Sequence, residues 1–227
     1  MFPSFGIPFL LKSSSSSPLL EGLVRFYPLD GNGDDVHGGE HGVITGASPG
    51  YEAGLGQTNA LYLGDSTTNR FEALEFRPND FTISWQVYAR GNFNAFAGLI
   101  GNFNTSSVTS DWCFLCGGVT DALVYANGNA NTGKLITLPT LSWHHIVLTR
   151  EVTAWKLYYD GTLVESFTSL GAGSSGTDSF YIASRPDGYT TTNARFQKVG
   201  LWNRALTDAE VTTLYNSGNV LAYPFTI

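Results

Sequence analysis

The sequence predicts an all-β protein, an antiparallel two-sheet β-sandwich with one short helix in its C-terminal region. The chain contains 26 Gly, 15 Phe and 11 Tyr, whereas charged residues make up only 14%. Strongly helical proteins are richer in Glu, Lys and Arg. From Leu23 onward, short stretches of aromatic and β-branched residues recur between Gly, Asn and Asp turns, which is typical of many short strands. The 227 residues fit one such domain.

Three segments predict strands of the sandwich core. Residues 81–87 alternate strictly, with four apolar side chains on one face and Thr82, Ser84 and Gln86 on the other. Residues 146–148 are apolar on both faces, which is typical of a central strand. Residues 155–159 place Trp155, Leu157 and Tyr159 on one face, and Asp160-Gly161 then predicts a tight hairpin turn.

One helix is predicted near the C-terminus. Thr207 can cap its start, and Glu210 completes a capping box three residues later. The apolar stripe of this helix consists of Val211, Leu214 and Tyr215. Gly218 is expected to end it in a left-handed conformation.

The composition changes near residue 20. We therefore divide the chain into an apolar, Ser-rich, extended N-terminal arm (residues 1–20) and a folded domain (residues 21–227). A run from Ser13 to Ser17 is typical of a flexible tether. The large apolar side chains before it favour an arm that docks on a neighbouring subunit, with a disordered tail as the alternative; they are Phe2, Phe5, Ile7, Phe9 and Leu10.

The net charge of −7 and the pI near 4.9 argue against nucleic acid or an anionic membrane as the main partner. No apolar run is long enough to insert across a membrane. Residues 1–11 are apolar but lack a positively charged start, and two prolines interrupt them. We therefore expect no secretory signal here.

The two cysteines, Cys113 and Cys116, form a lone CxxC in a segment that is predicted to be a strand. A tetrahedral zinc site would need two more ligands, and redox CxxC pairs begin a helix. Residues three apart on a strand point to opposite faces, which disfavours a disulfide between them. We expect buried free thiols.

Four segments together resemble the laminin G-like, concanavalin A-like jelly-roll family. In chain order they are residues 26–42 (FYPLDGN, continuing through Asp35 and Gly38), residues 81–85 (FTISW), residues 143–161 (WHHIVLT, then LYYDG) and residues 199–218 (VGLWNRALTDAEV, then LYNSG). Their order and spacing cover about residues 22–220. The resemblance implies a jelly roll of two packed antiparallel sheets, with the two ends of the domain close together.

The resemblance also implies a non-catalytic module that binds glycans or proteins, as part of a larger surface or adhesive assembly. Glucanases of this fold carry a Glu-x-Asp-x-x-Glu pattern, and no glutamate of this chain has Asp two residues later. We therefore expect no enzymatic activity.

A Gly-rich loop carries the candidate calcium ligands Asp30, Asn32, Asp34 and Asp35. Related domains often bind calcium here with the help of an acidic residue just before the segment that matches Val199. This chain has Phe196-Gln197-Lys198 at that place, so the expected carboxylate is missing. Ordinary turns stabilised by Asp and Asn side chains explain the loop equally well.

Two polar loops are the candidate sites for a sugar, because amides and hydroxyls bind sugar hydroxyls and an aromatic face covers the C–H side of the ring. Tight turns use the same residue types. The candidate residues are Tyr125, Asn127 and Asn129 in one loop and Arg185, Asp187 and Tyr189 in the other.

These observations favour a non-enzymatic recognition and adhesion module, with a glycan as its expected partner, displayed on the surface of a larger assembly. The alternative is a structural decoration or fibre protein of a virus particle, anchored to neighbouring subunits by its N-terminal arm. In that case the expected location is the virion surface.

Overall fold

The computed structural model describes residues 16–64, 68–91, 97–104, 107–116, 122–127, 130–168, 178–186 and 192–226, and between 104 and 135 it describes the backbone alone. The described residues form strands and one short α-helix. In chain order the strands are β1 (Leu23–Tyr27), β2 (Val43–Thr45), β3 (Gly50–Ala53), β4 (Asn59–Tyr62), β5 (Arg70–Ala73), β6 (Phe81–Ala89), β7 (Gly98–Asn104), β8 (Ser107–Cys116), β9 (Ala122–Asn127), β10 (Ala130–Thr137), β11 (Trp143–Glu151), β12 (Ala154–Tyr159), β13 (Thr162–Thr168), β14 (Ser179–Ile182) and β15 (Ala194–Trp202). The helix, α1, spans Asp208–Tyr215.

The strands form two antiparallel sheets, so the predicted sandwich is confirmed. The first sheet has the order β13-β12-β11-β6-β15-β4-β3, and β1 pairs with part of β15 beside β4. The second sheet has the order β10-β9-β8-β7-β14-β5-β2. Because β6 and β15 lie at the centre of the first sheet but far apart in sequence, that sheet brings together residues that are distant along the chain.

The main core lies between the sheets. Its large side chains come from both of them, including Trp85 and Phe196 of the first sheet and Phe71, Phe180 and Ile182 of the second. The three segments predicted as core strands form β6, β11 and β12, and the Asp160-Gly161 turn connects β12 to β13 with both residues at positive φ. Trp155 and Leu157 are buried in this core, and Tyr159 packs against it as predicted.

A second apolar cluster covers one half of the outer face of the first sheet. Val147, Tyr158 and Trp202 contribute to it from the sheet, and Val211 and Leu214 contribute from α1. The Trp202 ring lies directly over Gly200, where a Cβ would be 2.5 Å from the ring edge. This close approach requires glycine at position 200.

The N-terminal edge of the folded domain lies slightly before residue 21. Pro18–Leu20 form a 3₁₀ turn, and the Leu19 side chain is only 1% exposed within the second cluster. The indole Nε1 of Trp202 donates to the Leu19 carbonyl at 2.7 Å. The packed domain therefore includes Pro18–Leu20, which the sequence analysis assigned to the arm.

The capping box of α1 is confirmed. The Glu210 N–H donates to Thr207 Oγ1 at 3.3 Å, and the Thr207 N–H donates to Glu210 Oε2 at 2.8 Å. The predicted helix end was placed two residues too late, because Asn216 already adopts the left-handed conformation and caps the helix. Among the described residues, no helix is long and apolar enough to cross a membrane.

The polar face of β6 is buried rather than exposed. Thr82, Ser84 and Gln86 lie opposite the main core as predicted, but each is 2% exposed or less. Their polar groups are paired inside the protein; for example, Thr82 Oγ1 donates to the Arg204 carbonyl at 2.8 Å and accepts from the Leu206 N–H at 2.8 Å. Toward Tyr88 the same face becomes half-exposed.

Candidate functional site

A row of large side chains crosses the end of the outer face that the second cluster leaves uncovered. Strand pairing places Trp143 opposite Tyr88, Tyr88 opposite Arg195, and Arg195 opposite Tyr62. Residues that are directly paired project from the same face of a sheet. The row therefore crosses β11, β6, β15 and β4, and three strand spacings give it a length of about 14 Å.

The members of the row contact one another. The Trp143 and Tyr88 rings have centroids 5.5 Å apart and are tilted by 52°. The Arg195 guanidinium lies over the Tyr88 ring, 4.7 Å from its centroid. All four side chains are half-buried, so each is held by its neighbours while part of its surface faces solvent.

Two further charged residues extend the row. The Arg90 guanidinium lies over the Tyr62 ring, 4.3 Å from its centroid. The Glu52 carboxylate lies between the two arginines, with Oε1 3.1 Å from Arg90 Nη1 and Oε2 2.8 Å from Arg195 Nε. We call this surface the Arg–aromatic platform; it consists of Trp143, Tyr88, Arg195, Tyr62, Arg90 and Glu52.

A buried polar layer borders the platform. One position further along each strand face, Gln86 Oε1 accepts from Gln197 Nε2 at 2.7 Å, and both side chains are buried. Gln197 Oε1 in turn accepts from the Leu55 N–H at 3.0 Å. These hydrogen bonds fix the central strands and the adjoining loop, so the platform stands on a rigid base.

His145 completes this layer on β11. Its Nε2 lies 2.7 Å from Ser84 Oγ, and its ring stacks against Tyr215 of α1 with an interplanar angle of 6°. Nδ1 is buried and has no hydrogen-bond partner among the described residues. Burial lowers the pKa of His145 to about 3, with Asp160 opposing the shift and Lys198 adding to it, so the ring is neutral at pH 7.

Ser142, His144 and Asp160 form a chain of contacts in the order known from serine hydrolases. Ser142 Oγ lies 2.7 Å from His144 Nε2, and His144 Nδ1 lies 2.9 Å from Asp160 Oδ2. However, the Tyr159 hydroxyl also lies 2.6 Å from Nδ1, and the Tyr159 ring stacks on the imidazole with centroids 4.8 Å apart. A second partner at Nδ1 and a covered ring face are poorly suited to a general base.

Asp160 also anchors the β12–β13 hairpin to β11. Asp160 Oδ1 accepts from the His145 N–H at 2.8 Å, and the Asp160 N–H donates to the His145 carbonyl at 2.8 Å. Burial alone would raise the pKa of Asp160, but the hydrogen bonds from His144 and from the His145 N–H outweigh burial and hold this pKa below its ordinary value. The arrangement therefore stabilises the fold at the edge of the platform.

Comparison with known proteins identifies the family. A sequence profile described as the concanavalin A-like lectin/glucanases superfamily, of the laminin G type, matches residues 55–212, well over half of the chain. The chain belongs to this superfamily. The predicted resemblance to laminin G-like and concanavalin A-like domains is thereby confirmed.

Solved structures of similar fold share little sequence with this superfamily member. Domain 4 of an extracellular arabinanase from Geobacillus stearothermophilus, solved with arabinotriose, has a TM-score of 0.64 at 17% identity, covering 84% of this chain and 96% of that one. The sialidase of Trypanosoma rangeli has a TM-score of 0.70 at 18% identity, covering 92% of this chain and 37% of that one. The binding domain of Paraclostridial Mosquitocidal Protein 1 has a TM-score of 0.67 at 17% identity, covering 88% and 53%.

A relative among curated proteins is much longer. It is the sushi, von Willebrand factor type A, EGF and pentraxin domain-containing protein 1 of Rattus norvegicus, which is 29% identical over 45% of this chain. The match spans only 3% of the length of the rat protein.

The loop that the superfamily resemblance singled out for calcium is held by internal hydrogen bonds. Both carboxylate oxygens of Asp35 accept backbone N–H groups, from Phe26, His37, Gly38 and Glu40. Asp34 Oδ2 accepts from Asn32 Nδ2 at 2.6 Å, and Asp30 Oδ1 accepts from Asn59 at 2.7 and 2.9 Å.

A cation of the protein itself lies close to this loop. Lys198 lines the same pocket as Asp30, and its Nζ donates to the Val220 carbonyl at 2.6 Å. Within the described ranges, no group of three or more His, Cys, Asp or Glu is arranged to hold a metal ion. Calcium binding therefore stays a prediction, and the hydrogen bonds of Asp35 favour a structural role for the loop.

The two sugar-binding loops predicted from the sequence are largely outside the described residues. Asn129, Asp187 and Tyr189 lie there, and Tyr125 and Asn127 are described only as backbone in β9. Arg185 is described and is only 5% exposed, with its side chain packed against Gly98 of β7. Its burial favours a packing role over direct contact with a ligand.

Most of the predicted arm lies outside the described residues, and the two cysteines are described only as backbone. The arm residues Phe2, Phe5, Ile7, Phe9 and Leu10 lie outside the described residues. Cys113 and Cys116 lie in β8, which confirms the predicted strand, and the state of their thiols stays a prediction.

Sequence reasoning missed the platform, although a signal for one of its residues was present. Tyr88 continues the face of β6 that carries Thr82, Ser84 and Gln86, and it is the first aromatic residue on that face. An exposed ring at the end of a polar strand face can indicate a binding surface. Its neighbours in the row come from three other strands, and only the strand order brings them together.

Proposed function

We propose that this protein is a non-enzymatic glycan-recognition module, active in adhesion as part of a larger surface assembly, and that it binds sugars on the Arg–aromatic platform. The observation that carries the proposal is the half-exposed row of Trp143, Tyr88, Arg195 and Tyr62 on paired strands. Rigid strands hold this row, and no rearrangement is needed to present it.

The chemistry of the platform suits a sugar. An aromatic ring face packs against the apolar C–H side of a pyranose, and Trp143 supplies such a ring with the Tyr88 ring beside it. Arg90, Arg195 and Glu52 supply hydrogen-bond donors and acceptors for sugar hydroxyls at the same surface. The length of about 14 Å leaves room for more than one sugar ring.

Membership of a lectin and glucanase superfamily supports the same proposal. The arabinanase domain of similar fold was solved with a bound oligosaccharide, arabinotriose. The alternative, a decoration or fibre protein of a virus particle anchored by its N-terminal arm, stays a prediction because the arm lies outside the described residues.

A glycan array followed by calorimetry tests the proposal. The full chain is screened, and its best oligosaccharide is titrated into the wild type and into Trp143→Ala, Tyr88→Ala and Tyr88→Phe. Truncation of a central contact residue typically costs about 1 kcal/mol or more, so we expect affinity to fall at least about fivefold in both alanine variants. Tyr88→Phe keeps the ring and should bind within about twofold of the wild type if stacking dominates.

Tyr223→Ala serves as the matched control, because Tyr223 is a half-buried tyrosine in the C-terminal segment away from the platform. It should bind like the wild type. Unchanged affinity in both platform alanine variants, with melting temperatures showing that they are folded, would reject the platform as the site. An array on which no glycan binds would reject the function itself.

A further inference from the structure

The platform carries more positive than negative charge, although the chain as a whole is acidic. Two guanidinium groups, of Arg90 and Arg195, share the single carboxylate of Glu52, and each carboxylate oxygen faces one arginine. The described platform therefore has one positive charge in excess, whereas the whole chain has a net charge of −7. A local charge of the opposite sign to the rest of the protein marks a place where an anion is favoured.

The two arginines retain donors that no described residue uses. Glu52 engages one nitrogen of each, and the Ala53 carbonyl accepts from Arg195 Nη1 at 3.0 Å. Among the described residues, Arg90 Nε and Nη2 and Arg195 Nη2 have no partner. The side chains of Arg90, Glu52 and Arg195 are 35%, 29% and 20% exposed, so a ligand can reach them.

Stacking fixes the orientation of both guanidinium groups before any ligand binds. Arg90 lies over Tyr62 and Arg195 lies over Tyr88, with centroid distances of 4.3 and 4.7 Å. Arg90, with Nε and Nη2 unused by the described residues, can bind a carboxylate or a sulfate with two parallel hydrogen bonds, and Arg195 can add one from Nη2. A sugar ring stacked on Trp143 and packed against the edge of Tyr88 would carry its substituents toward Arg195.

We propose that the platform recognises an acidic sugar, whose anionic carboxylate or sulfate group is bound by Arg90 and Arg195 while a sugar ring packs on Tyr88 and Trp143. This inference rests on the proposed glycan-binding function and narrows its ligand class. In the free protein, the Glu52 carboxylate offsets part of the positive charge of Arg90 and Arg195. Anion binding is therefore weaker than it would be with the two arginines alone.

Matched pairs of oligosaccharides test the inference. Each pair differs only in its acidic group: a uronic acid oligosaccharide against the same chain with its carboxyl groups reduced to alcohols, and a sulfated oligosaccharide against its unsulfated form. Calorimetry on the full chain should give at least about tenfold tighter binding to the acidic member of one pair, because hydrogen bonds to a charged group are stronger than hydrogen bonds to a neutral one. The pair that shows the preference tells whether carboxylate or sulfate is recognised.

Two substitutions give opposite expected results. Arg90→Gln should weaken binding of the acidic member at least about tenfold and binding of the neutral member by a smaller factor, so most of the preference for the acidic member is lost. Glu52→Gln should tighten binding of the acidic member about two- to fivefold, which is the size of a surface charge pair. Arg150→Gln is the control, because Arg150 also lies over an aromatic ring, that of Trp155, but stands outside the platform.

Different outcomes test the acidic ligand and the glycan-binding function separately. If neutral and acidic members bind equally and binding still depends on Tyr88, the acidic ligand is wrong and the glycan platform stands. If the acidic preference survives Arg90→Gln and Glu52→Gln unchanged, the anion is bound elsewhere and the inference is overturned. If no oligosaccharide binds at all, both proposals are overturned together.

Discussion

The buried neutral His145 should make this protein less stable in mild acid. The free histidine has a pKa near 6.5, and burial lowers the pKa of His145 to about 3 in the folded protein. Below pH 6.5, His145 therefore binds a proton in the unfolded chain, whereas in the folded chain it stays neutral until the pH approaches 3. Stability contributed by the neutral ring is fully present above pH 6.5 and is lost as the pH falls toward 3.

The magnitude follows from the two pKa values. Between pH 7.5 and 5.0 the proton taken up by the unfolded chain costs the folded state about 2 kcal/mol, at a limiting slope of about 1.4 kcal/mol per pH unit. For a domain of this size, that loss corresponds to a fall in melting temperature of about 4–8 °C. Below pH 5 the carboxylates titrate as well, so the comparison stops there.

Urea unfolding at several pH values measures the slope. His145→Gln removes the titrating ring and should flatten the dependence of the free energy of unfolding on pH by about 2 kcal/mol over this range. The comparison of slopes holds even if the variant is less stable at every pH. Leu19→Ala is the control, because it lowers stability without removing a titrating group, and it should keep the wild-type slope. Equal slopes in the wild type and His145→Gln would show that the folded protein does not hold this ring neutral.

Three further substitutions test how the domain is held together, each by urea unfolding. Leu19→Ala should cost about 2–5 kcal/mol because the side chain is buried in the second cluster. Thr207→Ala should cost about 1 kcal/mol by removing the helix cap, and Thr213→Ala within the same helix should cost less. Asp35→Asn should cost about 1–3 kcal/mol equally with calcium and with a chelator, because the carboxylate accepts backbone N–H groups; a loss seen only with calcium would show metal binding.

The result for Leu19 bears on the predicted arm. Removal of residues 1–20 would take away a core side chain and the acceptor of the Trp202 indole, so lost assembly after that deletion would not distinguish anchoring from unfolding. A deletion that ends at residue 15 keeps the Pro18–Leu20 turn. Co-assembly of this shorter deletion with the native particle or multimer tests the arm alone.

Local sequence patterns predicted the structural elements that interactions between nearby residues determine. The capping box formed because Thr207 and Glu210 are three residues apart, and that spacing is sufficient for both hydrogen bonds. The helix ended at Asn216 rather than Gly218 because asparagine also tolerates the left-handed conformation, and here it is reached first. Whether the helix ends at Asn216 or at Gly218 depends on where its apolar side chains stop packing against the second cluster. The sequence pattern does not specify that position.

Features that depend on strand order could not be predicted from the sequence. The alternation in β6 correctly separated its two faces, but it could not show that the second cluster and neighbouring strands bury Thr82, Ser84 and Gln86. Each residue of the platform lies on a different strand, apart from Arg90, which directly follows the end of β6 at Ala89. Each strand contributes one aromatic residue or one arginine to the row. These residues are neighbours because β15 lies between β6 and β4 in the sheet.

The position of the platform on strands has a consequence for the proposed binding of a sugar. A loop must be ordered when a ligand binds, and each side chain that is immobilised costs about 0.5–1.5 kcal/mol of binding free energy. On the platform, Arg195 is already held by the Tyr88 ring, the Glu52 carboxylate and the Ala53 carbonyl, and the buried Gln86–Gln197 hydrogen bond fixes the strands on which it stands. Most of this ordering is therefore complete when the domain folds. A weak ligand such as a single sugar unit gains most from a site of this kind, because it makes few contacts with which to offset the cost of ordering a loop.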